Sequence, residues 1–560
     1  MARPIDIPEV LEHIIYIAAP RPIITQAGPN PIATEIRARE LSRFTLVSRF
    51  WNSVATPILW EFLPHQLPLL KLLPSDAWTI SSPEYKPSPA PSVPSGVRSI
   101  VAEMMEFHRS QSFVPKSFRL TRTLKRSDWA AVLRLSNHVK VLWYSLHGCA
   151  AEALPAMAAC PPEFVLLPRL ERLLLATDPR SDLSFIPLLM SPTIWELQLL
   201  GEGADTLDLR EIATRCPNVT HLRLSSRSGP QSSTAEEAIA LVMRLVCFTK
   251  LTHLALSTAV DDAGSLLREL DKLRSLTHLR LFDTASGLSR AESAQALMEV
   301  YRDVPDHSMF RHLRSIRSDT EVCPAAAEAL VKSWGGPRPI ERFAMPLGRY
   351  GRMSDMSAFI ALIASQCSPS TLTHLDVITR SFANYYHPPV MPIDAIRPLS
   401  AHRALRVVRV GASHGALDFV DSDYEELAQW WPHLTELYIP NVMGRSCTLR
   451  SLVAFATHCP QLRKLTLKLD ATEIPPSSEA ASDVVCALVL LEVTDGRMSN
   501  PGDLAAFLIR IFPKLQCARY REEDEQDRVA GSTVVRYSRL WKEVEAALEE
   551  SASAQAETSL

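Results

Sequence analysis

From about residue 139 onward, one apolar phrase recurs along the chain: apolar-x-x-apolar-x-apolar. It runs through Val139-Leu142-Tyr144, Leu170-Leu173-Leu175, Ile194-Leu197-Leu199, Val219-Leu222-Leu224, Leu251-Leu254-Leu256 and Leu276-Leu279-Leu281. Leu313-Ile316 and Ile340-Phe343-Met345 are weaker copies. The phrase then resumes in Leu372-Leu375-Val377, Leu405-Val408-Val410, Leu434-Leu437-Ile439, Leu462-Leu465-Leu467 and Leu488-Leu491-Val493, and fades at Leu515-Ala518-Tyr520. Successive copies start 24 to 37 residues apart. In a strand, alternate side chains face the same way, so the last two apolar residues of each phrase point inward together. A unit this short cannot close a core by itself, and its neighbours must stack on it.

Stretches with helical apolar spacing lie between the phrases: Glu236–Val246, Ala291–Tyr301, Met356–Ser365, Leu449–His458 and Leu504–Phe512. The fold class is therefore α/β, a solenoid of strand-helix units. Segments such as Arg215-Cys-Pro-Asn-Val-Thr-His-Leu-Arg-Leu224 and His458-Cys-Pro-Gln-Leu-Arg-Lys-Leu-Thr-Leu467 resemble the leucine-rich repeat, in the form common after F-box modules. That resemblance implies a curved horseshoe with the strands on its concave side. The Asn or Cys that usually follows each strand is absent here, so irregular convex loops are expected. The 42 Pro against 18 Gly agree with many helix starts and stiff turns.

Ahead of the repeats, residues 5–63 read as three short helices. Asp6 can cap the first, Pro8 suits its first turn, and Glu9 favours its positive end. Val10, Leu11, Ile14, Ile15 and Ala18 fall on one face. Thr34 can cap a second helix that carries Leu41 and Phe44 inward, and a third runs from about Arg49 to Phe62 with Pro57 near a break. Trp51 and Trp60 would each hide roughly 150–250 Å², about 4–6 kcal/mol apiece at most. Three short helices cannot bury that much among themselves, so part of this surface should face the rest of the chain or another protein.

Ile7-Pro8-Glu9-Val10-Leu11, Leu46-Val47-Ser48, Phe50-Trp51 and Pro57-Ile58-Leu59-Trp60 together resemble the F-box, particularly as fungal proteins write it. Ile7 replaces the family's usual Leu, and the Ala19–Ala33 link is longer than usual and rich in Pro. The resemblance implies a dock for a Skp-type adaptor, and through it a cullin-RING ubiquitin ligase. It places Pro8, Val10, Leu11, Ile14, Leu46, Val47, Trp51, Leu59 and Trp60 on the docking surface or beneath it.

No catalytic arrangement is recognisable. The sequence has no phosphate-cradling glycine loop, no Gly-x-Ser-x-Gly elbow and no His-Glu-x-x-His. The ten Cys show no Cys-x-x-Cys and no zinc spacing, which points to reduced thiols in the cytosol or nucleus. Cys216 and Cys459 precede Pro at unit starts, as small buried residues would. His221, His253, His278 and His374 share one strand position, in Thr-His-Leu, and read as a solvated face rather than a metal site. A net charge of -3 offers no general attraction to nucleic acid or anionic membrane. The longest apolar run, Val484–Leu491, is too short to span a bilayer.

The outward residue between the last two apolar positions of each phrase forms a second stripe. It includes Arg223, Arg280, Arg317, Arg409 and Tyr438. Arg favours bidentate capture of carboxylate or phosphate, so these residues are the expected contacts to an acidic or phosphorylated substrate segment.

The expected organisation is an F-box-like module at 1–64, a connector at 65–110 with a disordered Pro/Ser-rich stretch at 81–96, a repeat array at 111–520, and a charged tail at 521–560 with one helix at Ser538–Glu549. The expected function is a non-catalytic substrate receptor of an F-box type ubiquitin ligase, with neither cofactor nor metal. The alternative is a leucine-rich-repeat scaffold with no tie to ubiquitination.

Overall fold

A computed structural model describes residues 7–20, 24–25, 28–29, 31–81, 117–145, 157, 159–161, 164–177, 186–201, 207–225, 240, 243–257, 269–281, 310–319, 321–322, 324–348, 353–379, 390–412, 416–439, 444–476, 486–520 and 539–550. These group into two compact units, Met1–Gly229 with Met243–Thr252, and Pro230–Val242 with His253–Leu560.

The first unit opens with helices α1 (Pro8–Ala18), α2 (Pro31–Thr45) and α3 (Arg49–Glu61). The cap of α1 is Ile7, with no side-chain bond, and Pro8 fills the first turn; Asp6, the cap suggested by sequence, lies outside the described residues. Helix α2 starts at Pro31, so Thr34 sits within its first turns rather than at its cap. Proline is favoured at such a start because its missing N–H would have no partner there. Helix α3 is capped by Ser48, whose Oγ accepts from the Trp51 N–H at 3.1 Å. It continues through Pro57 to Glu61 without the anticipated break. An interior proline costs about 3 kcal/mol, and the burial of Ala55 and Ile58 on either side offsets it.

Helix α3 leads directly into strand β1 (Phe62–Leu63). The strands β2 (Val141–Ser145), β3 (Arg172–Thr177), β4 (Glu196–Gly201) and β5 (His221–Ser225) follow it, and all pair in parallel in that order. The helical module and the sheet are therefore one body here. Tyr16 donates from its hydroxyl to Glu61 Oε2 at 2.9 Å, and Lys140 Nζ lies 3.4 Å from Glu61 Oε1.

The second unit holds β6 (His253–Ser257), β7 (His278–Leu281), β8 (Ser315–Ser318), β9 (Arg342–Ala344), β10 (His374–Thr379), β11 (Val407–Ala412), β12 (Glu436–Tyr438), β13 (Lys464–Ala471), β14 (Leu490–Met498) and β15 (Cys517–Tyr520). They too pair in parallel, in chain order. The register repeats from unit to unit: Leu254 faces Leu279, Leu375 faces Val408, and Leu437 faces Leu465. Equivalent positions of the repeated phrase thus stack on one another, and among the described side chains the apolar positions that define it are buried, apart from the half-buried Tyr520. At about 1.5–3 kcal/mol per buried side chain, these columns supply the core.

Helices Met353–Gln366, Leu449–His458 and Pro501–Ile511 connect successive strands, where helical spacing places them. Cys216 and Cys459 occupy the ends of helices Leu209–Arg215 and Leu449–His458. The proline after each stops the helix. Burial pushes these thiols up to about 11 and about 12, respectively, and leaves them as packing groups.

Within the tail, residues 539–550 are packed against the rest of the unit. A helix at 539–550 lays Trp541, Val544 and Leu548, all buried, along one face. The Trp541 indole N–H donates to the Gly496 carbonyl at 3.2 Å. Of the expected disordered Pro/Ser-rich stretch at 81–96, Ser81 instead closes the strand Trp78–Ser81 and the rest lies outside the described residues, as does the helical stretch at 291–301. No helix among the described residues is long and apolar enough to cross a membrane.

Candidate functional site

Helix α1 is apolar around more than half its circumference. At about 100° per residue, Leu11, Ile15 and Ala19 span one arc of roughly 80°, and Ile7, Val10, Ile14 and Ile17 span the next. The first arc is sealed, with Leu11 and Ile15 fully buried against Leu41, Ala55 and Ile58. The second faces solvent: Ile7 is 39 % exposed, Val10 36 %, Ile14 39 % and Ile17 70 %. In the turn between α2 and α3, Leu46 and Val47 are 84 % and 59 % exposed.

That turn is built firmly. The Leu46 and Val47 N–H groups donate to the carbonyls of Arg43 and Phe44, and Asn52 Nδ2 donates to the Thr45 carbonyl at 2.9 Å. Together with the Ser48 cap, these bonds hold two large aliphatic side chains out in water. Below them Phe44 and Trp51 pack with ring centroids 5.6 Å apart, and Trp51 and Leu59 lie half-buried against the helical core. Trp60 is also half-buried.

The nine residues suggested by the F-box phrase therefore divide by position. Pro8, Val10, Ile14, Leu46 and Val47 are exposed; Trp51, Leu59 and Trp60 are half-buried; Leu11 belongs to the core. Ile7 and Ile17 extend the exposed band. Ile7 opens the phrase and Ile17 lies beyond it; neither is among the nine docking positions, but projecting α1 onto a helical wheel would have added both.

The outward faces of the strands hold the second set of candidates. Arg223, on β5 of the first unit, is in register with Gln198. In the second unit Arg280 and Arg317 are register partners, and both turn to one carboxylate. Arg280 Nε donates to Asp319 Oδ2 at 2.8 Å, and Arg317 Nε to Asp319 Oδ1 at 2.8 Å. Arg409 Nη2 contacts Glu436 Oε1 at 2.7 Å, and its Nη1 lies 3.6 Å from Asp376. Tyr438 sits between Arg409 and Thr466 in register.

From β10 to β15 these contacts join into a chain of alternating charge, one residue to a strand. It runs Asp376, Arg409, Glu436, Lys464, Glu492, Arg519. Glu492 is buried and also accepts from Thr466 Oγ1 at 3.0 Å. Burial would raise its carboxyl, but bonds from Arg519 and Thr466 and the charge of Lys464 outweigh this and hold it below the usual range. At the other end, burial pushes Asp376 up, against the pull of Arg409 and Arg317.

The recurrent histidines take different neighbours. His221 meets the Trp195 ring edge-on at 5.2 Å, and His253 stacks on His278 with centroids 3.9 Å apart and planes 9° from parallel. Lone pairs on parallel rings do not converge on one ion. Among the described residues no group of three or more metal-ligating side chains comes together.

No family model and no curated protein matches the chain. Among solved structures, a chain from the crystal structure of the Rad7 and Elc1 complex in yeast is similar at 14% identity with a TM-score of 0.31, covering 62% of this chain and 83% of that one.

Proposed function

We propose that this protein is a non-catalytic receptor that docks a Skp-type adaptor through its first helices and presents a target protein on its parallel sheet. The adaptor would connect it to a cullin-RING ubiquitin ligase, in the cytosol or nucleus. The observation that carries the reading is the band Ile7, Val10, Ile14, Ile17, Leu46 and Val47. It is an exposed apolar surface on α1 and the turn before the Ser48-capped α3, and Val10, Ile14, Leu46 and Val47 within it are positions where the F-box phrase puts its dock. Exposed apolar surface of this kind is retained where a partner covers it. Catalysis would belong to the partner enzyme, and this chain would contribute proximity and orientation.

The test is co-purification of the full chain with a Skp-type adaptor. Val10→Asp combined with Ile14→Asp should abolish capture and leave the thermal midpoint nearly unchanged, because both side chains already face water. Leu11→Ala is the contrasting variant: it should lower stability by about 2–5 kcal/mol by opening a cavity in the helical core. Capture that survives the double substitution, or a parent chain that takes no adaptor, would leave the scaffold reading in its place.

A further inference from the structure

The ion pairs described above engage Arg280, Arg317 and Arg409, and leave other arginines of the same unit outside them. Arg342 opens β9, and Arg406 immediately precedes β11. Both are exposed, and among the described residues neither forms an ion pair. They flank the strand between them: Arg342 is in register with His374, and the Arg406 N–H donates to the Thr373 carbonyl at 2.8 Å. Adjacent strands are about 4.8 Å apart, so the two Cα atoms lie about 10 Å apart with His374 in the gap. Both guanidinium groups lie close enough to act by charge on the His374 ring between them, so an anion at that ring meets both.

The histidine is held ready. Thr373 Oγ1 donates to the Glu341 carbonyl at 2.9 Å and lies 2.8 Å from His374 Nδ1. A hydroxyl has one proton, and here the carbonyl takes it. The hydroxyl must then accept from Nδ1–H, which leaves Nε2 as the nitrogen that can gain a proton. The nearest acidic influence is Glu436, already engaged by Arg409 and Lys464.

We propose that Arg342, His374 and Arg406 form an anion-binding site for an acidic segment of the target protein, one row to the side of the arginines that the sequence singles out. This deepens the receptor reading and rests on it for the identity of the cargo. The shared chemistry is a carboxylate or phosphate held by two guanidinium groups. Burial, and then the charges of Arg342 and Arg406, hold the imidazole below its usual range of protonation, so it is neutral near pH 7. A bound anion reverses that bias, and His374 takes up a proton as the complex forms.

Fluorescence anisotropy with the full chain at low salt tests this, using three labelled peptides: one rich in Glu, one carrying phosphoserine, and one with Gln in place of the charges. The charged peptides should bind and the neutral one should not, and the stronger of the two identifies the anion. Arg342→Gln with Arg406→Gln should weaken binding by about tenfold or more, and Arg342→Lys with Arg406→Lys should restore part of it. Arg210→Gln with Lys542→Gln removes the same charge from helices and should change little. Affinity for the Glu peptide should rise as the pH is lowered from about 7.5 to about 6, and His374→Gln should flatten that slope.

Equal loss in the helix-side control would overturn the site, as would a parent chain that binds neither charged peptide, or a double variant that binds like the parent. Adaptor capture is scored separately. If it fails while peptide binding persists, the ligase connection falls and the site stands. If the opposite occurs, the site falls and the dock stands.

Discussion

Gly496 shows how tightly single positions are specified. A Cβ there would come within 2.6 Å of both Trp541 Nε1 and Val493 Cγ1. Both contacts belong to buried groups that cannot swing aside, so Gly496→Ala should cost about 1–3 kcal/mol by overpacking, read as a lower urea midpoint with an unchanged slope. Side-chain roles on the sheet were harder to read from sequence. Position alone made Arg280 and Arg317 look like free cations. Asp319, which engages both, lies past the end of the repeated phrase, so periodicity carries no sign of it. Arg342 and Arg406 were missed for the converse reason. Nothing about either residue is unusual until the carboxylates of their neighbours are seen to be engaged elsewhere. Leu11 and Ile14 are likewise both plain apolar residues of one phrase, and only the placement of Leu41, Ala55 and Ile58 decides which of them is covered.

At the scale of elements, the strands were the most legible part of the chain. Period-two alternation fixes which residues go inward, and a shift of one residue would expose a whole apolar column. Helix Leu449–His458 also appears with the limits its spacing gives. Helix starts were less legible, since proline substitutes for a side-chain cap at Pro31 and Pro8. The charged ladder from β10 to β15 is a property of adjacent elements and has a pH signature. The Glu492 carboxyl is held below its ordinary value of 4.5. A depressed carboxyl adds stability that is complete above the unfolded value and disappears as the pH falls through the folded one. Glu492→Gln should therefore be less stable than the parent near pH 7, and the gap should narrow below about pH 4.5 in urea titrations followed by circular dichroism.

For the molecule as a whole, the joint between α3 and β1 matters most. The sequence reads as a separable helical module followed by repeats, but Phe62 and Leu63 already pair with Val141 and Leu142. Removing residues 1–64 would strip β2 of one of its two neighbours and expose the apolar residues beneath it. That deletion should lower the thermal midpoint and raise light scattering on heating, whereas Val10→Asp with Ile14→Asp should do neither. Loss of adaptor capture in the truncated chain would thus say little about docking, which is why point substitutions are the cleaner probe.

The matched register of the strands also governs what inheritance can do to this gene. Each coil meets its neighbours through the same rows of atoms, so an in-frame duplication of Leu434–Gln461 presents familiar surfaces to both flanks, and the chain can lengthen by whole coils. A lone extra codon between Leu465 and Leu467 has no such licence. It would swing the remainder of that strand over, driving charge into the interior and leucine into water.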